Sequence, residues 1–115
     1  INAHGTSTPV NDEHESIAIK KVLGDRAYDI VVGSTKSMTG HVLGAAGAVE
    51  SVVCAQVMRT GKIPPTINFE TADPACDLNY AHDGMVERDV RVTLSNSFGF
   101  GGHNVCLAMR RWDGD

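Results

Sequence analysis

The spacing at which apolar residues recur changes along the chain, and each change marks an element. From Asp12, the run Ile17, Ala18, Lys20-Lys21 and Val22-Leu23 keeps helical spacing until Gly24, and Glu15 follows Asp12 by three residues in the manner of a capping box. This predicts a short amphipathic helix. Ile30-Val31-Val32, set between polar neighbours over Asp29 to Ser34, is a compact β-branched run that predicts an inner, parallel-type strand buried on both faces. A second helix is predicted from near Gly40 to about Thr60, with Gly61 as its C-cap and Pro64-Pro65 preventing continuation. Val42, Leu43, Ala45, Ala46, Ala48, Val49, Val52, Val53, Ala55, Val57 and Met58 leave it no broad polar stripe, so it is expected inside the protein.

From Ile67 to Gly84 the chain is punctuated by Asp73-Pro74 and Asp83-Gly84, which predicts an ordered connecting loop with a short extended piece at Asp77 to Tyr80. Val90 to Asn96 sets Val92 and Leu94 against Arg91, Thr93 and Ser95, and Val105 to Met109 is a second strand-like run. Between them stands Phe98-Gly-Phe-Gly-Gly102, so the pair reads as a glycine-rich β-hairpin. Helix, strand, helix and hairpin together indicate one layered α/β unit over residues 1–115, with the long helix packed under a sheet.

Composition removes several classes of function. Ten basic against fourteen acidic residues give a net charge of −4 and no basic stripe, which argues against nucleic acid as a partner. The most apolar long segment, about Val42 to Met58, is interrupted by glycine and carries Glu50 and Gln56, and no charged-then-apolar leader opens the chain. No membrane association is expected. Cys54, Cys76 and Cys106 are odd in number and widely spaced, which disfavours both a disulfide framework and a zinc site and fits a reducing cytoplasm. No metal is expected. Ile1-Asn2-Ala3 runs at once into His-Gly-Thr-Ser-Thr-Pro, so the chain reads as cut from something longer.

Polar clusters stand at three predicted element ends: His4 to Pro9, Ser34 to His41, and Phe98 to Asn104. His4 alone reads as an ordinary satisfied histidine, but Gly5 permits close backbone approach, and Thr6 and Thr8 offer hydroxyls at alternate positions, as the wall of a channel requires. His41 follows Lys36 by five residues and is expected in the first turn of the long helix, where the helix dipole disfavours imidazolium. A neutral imidazole there donates one N–H, and two such donors aimed at one carbonyl oxygen stabilise an enolate; a structural helix-cap role explains His41 equally well. Glu50 lies within the apolar helix, where a carboxylate needs a cation, and Lys36 is its nearest plausible partner, in a functional or a purely structural pair. Asp12 and Glu15 are explained by capping alone. The glycines around Phe100 permit a backbone N–H aimed at a ligand, with the Phe100 ring as a movable plug. His14, His82 and His103 lack such context and read as structural or exposed.

Taken together, His4-Gly-Thr-Ser-Thr-Pro9, Ser34-Thr-Lys-Ser-Met-Thr-Gly-His41, Leu43-Gly-Ala-Ala-Gly47-Ala-Val-Glu50 and Asn96-Ser-Phe-Gly-Phe-Gly-Gly102 closely resemble the β-ketoacyl-acyl carrier protein synthase family. Pro64-Pro-Thr-Ile-Asn68, Asp73-Pro74 and Cys76-Asp-Leu78 are similar to that family's connecting loop, so the resemblance covers nearly the whole chain. It implies the C-terminal half of a thiolase-like fold, part of a five-layered α-β-α-β-α architecture. It implies His4 and His41 as the histidines of a Cys-His-His triad, Lys36 as their supporting lysine, and Asp12, Glu15 and Glu50 as an inner polar network. By the same resemblance Phe100 is a gate whose N–H joins an oxyanion hole, and Thr6 and Thr8 contact a pantetheine arm.

The implied reaction is ping-pong: an acyl group moves from acyl carrier protein to the cysteine, and malonyl-carrier then loses CO2 and attacks it. The substrates ride on the carrier's phosphopantetheine arm and no other cofactor is implied. None of the three cysteines fits the nucleophile, which the resemblance places at a sharp turn in an N-terminal half absent from this chain. The isolated chain is therefore expected to be inactive, with that half and, when complete, a second copy as partners. Asn11-Asp12 is similar to aromatic-polyketide synthase subunits, whereas Ser7-Thr8-Pro9 and the intact hairpin resemble fatty-acid elongation enzymes. A ketosynthase subunit of a polyketide system and a non-catalytic fragment or paralogue are the alternatives.

Overall fold

The computed structural model describes residues 1–114. Its first helix, α1 (Pro9–Leu23), begins earlier than the apolar pattern suggests, because Pro9 sits at a first-turn position where its missing N–H costs nothing. Thr8 is the N-cap by backbone geometry (φ −109°, ψ 140°) but makes no side-chain cap. The capping box is thus corrected: Glu15 turns inward with Ser16 and Ile19, and Gly24 stops the helix.

A 3₁₀ segment over Gly24–Asp29 leads into Ile30 to Gly33, which runs as predicted through the middle of the fold, with Val31 and Val32 5% and 1% exposed. It forms isolated parallel bridges rather than a long ladder. Asn2 bridges Gly33 on one side and Ser95 on the other, and Val31 bridges Asn79, so Asp77 to Tyr80 does contribute an extended piece. The supporting bonds are short: Asn2 N to Leu94 O 2.7 Å, Ala3 N to Gly33 O 2.7 Å and Val32 N to Asn79 O 2.8 Å.

A four-residue helix, α2 (Lys36–Thr39), follows, and the chain then crosses a 3₁₀ turn at Leu43–Ala45 before the long helix α3 (Ala46–Thr60). The helix expected from near Gly40 therefore starts at Ala46. Gly40 closes α2 instead, its N–H bonded to Lys36 O, and this places His41 in the connecting loop. Nor is α3 buried all round, as its apolar circumference predicts. Ala46, Glu50, Cys54, Val57 and Met58 recur at helical spacing on one buried stripe, while Val49 and Val52 on the other side are 39% and 62% exposed.

Gly61 ends α3 in the left-handed region (φ 71°), where a Cβ would come within 2.9 Å of Arg88 O. A small antiparallel pair, β1 (Lys62–Ile63) with β2 (Val86–Glu87), escaped the sequence reading because two-residue strands carry no periodicity. The hairpin is present as β3 (Val92–Phe98) and β4 (Asn104–Arg110), in register from Val92 opposite Arg110 to Phe98 opposite Asn104. Its turn is a 3₁₀ segment, Phe100–Gly102.

The extended segments thus lie in the order β4, β3, residues 1–3, residues 30–33, residue 79. Alternation along β3 sends Thr93 toward Met58 of α3 and Asn96 toward Glu15 of α1, so the two long helices cover opposite faces. On the α1 side Ala3, Ile19, Ala27, Val32 and Leu78 form the apolar core.

Candidate active site

Most of the polar side chains singled out from the sequence gather beyond one end of this sheet, where its parallel segments finish. His4 ends the central extended segment and is 7% exposed. Gly5 beyond it adopts φ 43°, and a Cβ there would lie 2.5 Å from Ser34 Cβ, so only glycine lets the turn press against the Ser34 strand end. The His4 ring stands edge-on to His41, with centroids 5.3 Å apart and planes at 86°, and 5.5 Å from the Phe98 ring.

Glu15 fixes the His4 backbone. Its Oε1 accepts the His4 N–H and the Asn96 side-chain amide, each at 3.0 Å; Oε2 accepts the Gly5 N–H at 3.0 Å and the Asn11 amide at 3.4 Å. A buried carboxylate without hydrogen bonds loses several kcal/mol of solvation, whereas each bond to a charged acceptor returns about 1.5–3 kcal/mol. Asp12 stands beside this group and accepts from Asn11 at 2.9 Å.

Lys36, at the start of α2, and Glu50, within α3, form a salt bridge between Nζ and Oε1, with side chains 4% and 3% exposed. The pair joins the short helix α2 to the long helix α3 on either side of the His41 loop. Glu50 Oε2 and His4 Nδ1 are the buried side-chain atoms left without a partner among the described residues. Burial, followed by the positive charge of Lys36, pushes the His4 pKa below its ordinary value of 6.5. His4 is therefore held as a neutral imidazole.

His41 is exposed, contrary to a place in the first turn of a buried helix, and the helix-dipole argument does not apply to it. Another contact does its work. The Leu43 backbone N–H donates to His41 Nδ1 at 3.2 Å, which engages that nitrogen's lone pair and leaves the proton of a neutral ring on Nε2. Leu43 holds φ 52° to do this, a conformation costing an L-residue about 1–2 kcal/mol.

Thr6 and Thr8 line the same cleft as His4 and His41, with their hydroxyls 3.0 Å apart. Phe100 lies at its rim with the side chain 96% exposed, carried on a turn in which Gly101 and Gly102 have φ 73° and 80°. The ring against His4 is that of Phe98. His14 and His103 are exposed on the cleft wall, and His82 stacks on Phe69 at 4.4 Å. The polar residues missed from sequence are Asn2, which accepts the Thr35 N–H at 3.2 Å, and Asn96; a lone asparagine in a strand pattern gives no warning of either.

Of the cysteines, Cys54 is buried in α3 and burial raises its thiol pKa, Cys106 is exposed on β4, and Cys76 lies 3.7 Å from Ser16 Oγ. Among the described residues no group of three His, Cys, Asp or Glu side chains is placed to hold a metal ion, and no helix is long and apolar enough to cross a membrane.

Residues 1–70 match the family described as beta-ketoacyl synthase, C-terminal domain. The chain is 56% identical over 112 residues to a 3-oxoacyl-[acyl-carrier-protein] synthase 2 of Synechocystis, covering 97% of this chain and 27% of that protein. It is 46% identical to the nodulation protein E of Rhizobium meliloti, over 96% of this chain and 28% of the relative. Among solved structures it superposes with a TM-score of 0.92 and 45% identity on a type II polyketide ketosynthase captured with its acyl-carrier protein, covering 95% of this chain and 27% of that one. It also superposes on the ishigamide ketosynthase/chain length factor with a TM-score of 0.91 and 41% identity, again over 27% of the larger chain.

Proposed function

The chain belongs to the β-ketoacyl synthase family, in its C-terminal domain and with that family's thiolase-like fold, and from this we propose that the complete protein performs a decarboxylative Claisen condensation on carrier-bound thioesters. The edge-on pair of His4 and His41, 5.3 Å apart, carries this reading. Both rings offer an N–H, His4 as an imidazole whose protonation is opposed by its burial and His41 through Nε2, since Leu43 engages its Nδ1.

A malonyl thioester placed in the cleft presents its carbonyl oxygen to the two N–H groups. The bond from the α-carbon to the carboxylate breaks, CO2 leaves, and the electron pair flows to the thioester oxygen as an enolate. The imidazole N–H groups stabilise that oxygen as an oxyanion hole does. The α-carbon then attacks the acyl thioester on a cysteine supplied from outside this chain; the new C–C bond forms and the cysteine sulfur leaves as thiolate. Thr6 and Thr8 hold the carrier's pantetheine arm, Phe100 gates the acyl tunnel, and the Lys36–Glu50 pair holds the loop that bears His41.

The product is a 3-oxoacyl carrier two carbons longer. We assign the protein to fatty-acid elongation in the cytoplasm, supported by identity to proteins named 3-oxoacyl-[acyl-carrier-protein] synthase 2, with acyl carrier protein as partner. A polyketide ketosynthase subunit is the second reading, favoured by superposition on ketosynthases of that class. The test is release of labelled CO2 from malonyl-carrier by the full-length protein, with octanoyl or longer primers against aromatic-polyketide partners. Loss of CO2 release in both His4→Ala and His41→Ala supports the histidine assignment; full activity in either variant overturns it.

A further inference from the structure

Glu15 holds the His4 backbone, yet one of its four donors comes from neither the His4 segment nor α1. Asn96 lies on β3 two residues before Phe98, and its backbone N–H also bonds Asn2 O at 3.0 Å. Through one side chain the strand that carries the Phe98–Phe100 turn is tied to the oxygen that accepts the His4 N–H. The Phe98 ring packs on the His4 ring beyond that tie, at 5.5 Å. Asn96, Glu15 and His4 therefore form a buried bracket between β3 and the His4 segment, joined at a carboxylate 4% exposed.

We propose that Asn96 is a positioning residue that, through Glu15, sets the His4 imidazole in register with the Phe98–Phe100 turn. The inference rests on the condensing-enzyme reading above. An amide suits this post, since it donates to the carboxylate without adding charge beside a ring that must stay neutral. A cation in its place would lower the His4 pKa further, and a carboxylate would repel Glu15. Without the amide the turn and the His4 segment lose their shared anchor, and a displacement of about 1 Å at a reacting group slows chemistry as much as a hundredfold.

The test compares Asn96→Ala and Asn96→Asp with the parent, all as full-length protein. Decarboxylation of malonyl-carrier is followed against pH, and hydrogen exchange at the His4 and Gly5 amides is read by NMR. Asn96→Ala is expected to lower kcat for CO2 release by about tenfold to a hundredfold with KM little changed, and to speed His4 amide exchange. Asn96→Asp is expected to lose as much at neutral pH and to recover on acidification, as protonation of one of the two facing carboxyls restores a donor between them. Unchanged kcat and unchanged exchange in Asn96→Ala overturn the assignment, as does an Asn96→Asp profile parallel to the parent's. If the parent itself releases no CO2 while exchange responds as described, the condensing reading fails and the bracket stands as structure alone. If Asn96→Ala does not fold, the acid recovery of Asn96→Asp decides.

Discussion

Leu43 donates its backbone N–H to His41 Nδ1 from a left-handed conformation that leucine avoids. The side chain is 70% exposed and makes little of the packing that normally justifies a leucine. The position is thus held for its backbone. Leu43→Gly is expected to keep the bond, to stabilise the fold by about 1 kcal/mol through relief of strain, and to preserve CO2 release. Leu43→Pro removes the N–H and cannot reach the required φ, so it should abolish CO2 release. Thermal unfolding and a decarboxylation assay check both.

The Lys36–Glu50 bridge is among the most buried ionic contacts in the chain. Removing one partner leaves the other charged and unpaired, so Lys36→Met or Glu50→Leu alone should each cost about 3–5 kcal/mol. Lys36→Met with Glu50→Leu should recover most of that loss without recovering activity. Urea unfolding of the three variants closes the cycle, and strict additivity of the two single losses contradicts the direct pairing.

His4 gives the fold a pH dependence. Its folded pKa is depressed below 6.5, so as pH falls through 6.5 the unfolded chain takes up the proton before the folded one does. Stability is undiminished above 6.5 and falls with further acidification until the folded pKa is passed. Lys36 and His41 oppose protonation, while Glu15 and Glu50 favour it less strongly than burial opposes it. His4→Gln should flatten the slope of unfolding free energy between pH 6.5 and the acid range, measured in urea; an unchanged slope assigns it to other groups.

Phe98 and Phe100 are separated by one residue and by their surroundings. Phe100→Ala should change stability by less than about 0.5 kcal/mol, because its ring touches almost nothing, yet slow acyl loading of the full-length enzyme. Phe98→Ala removes the ring against His4 and should cost about 2 kcal/mol as well as CO2 release. Burst kinetics with acyl-carrier separate the two, and equal stability losses would contradict the assignment of Phe98 to the packed position.

The hairpin, the ends of the helices at Gly24 and Gly61, and the buried run Val31-Val32 were legible because alternation, left-handed glycine and β-branched burial are local signals. The start of α3 was not, since Val42, Leu43 and Ala45 continue its apolar pattern while Gly40 and Leu43 take positive φ values that no periodicity reports. Glu15 was misread for a related reason. Its spacing from Asp12 satisfies a capping box, and only the arrival of His4, Gly5 and Asn96 around it reveals a buried acceptor. Full burial of α3 was overstated because an apolar circumference says what a helix tolerates, and Ala46, Glu50, Cys54, Val57 and Met58 are the α3 residues buried among those described.

The meeting of segments at Glu15 also sets when the site can exist during synthesis. The carboxylate waits for a donor 81 residues further along, and the extended segment bearing Asn2 is flanked on one side by Ser95. Contacts of such sequence separation close late, after local helices have formed, because the loop entropy must be met before they stabilise anything. A nascent chain that has released α1 and α3 from the ribosome but not β3 therefore lacks the Asn96 donor to Glu15 and the Phe98 ring beside His4. The His4 segment acquires its full set of partners only when the last hairpin docks, so premature termination before residue 96 leaves the site unfinished.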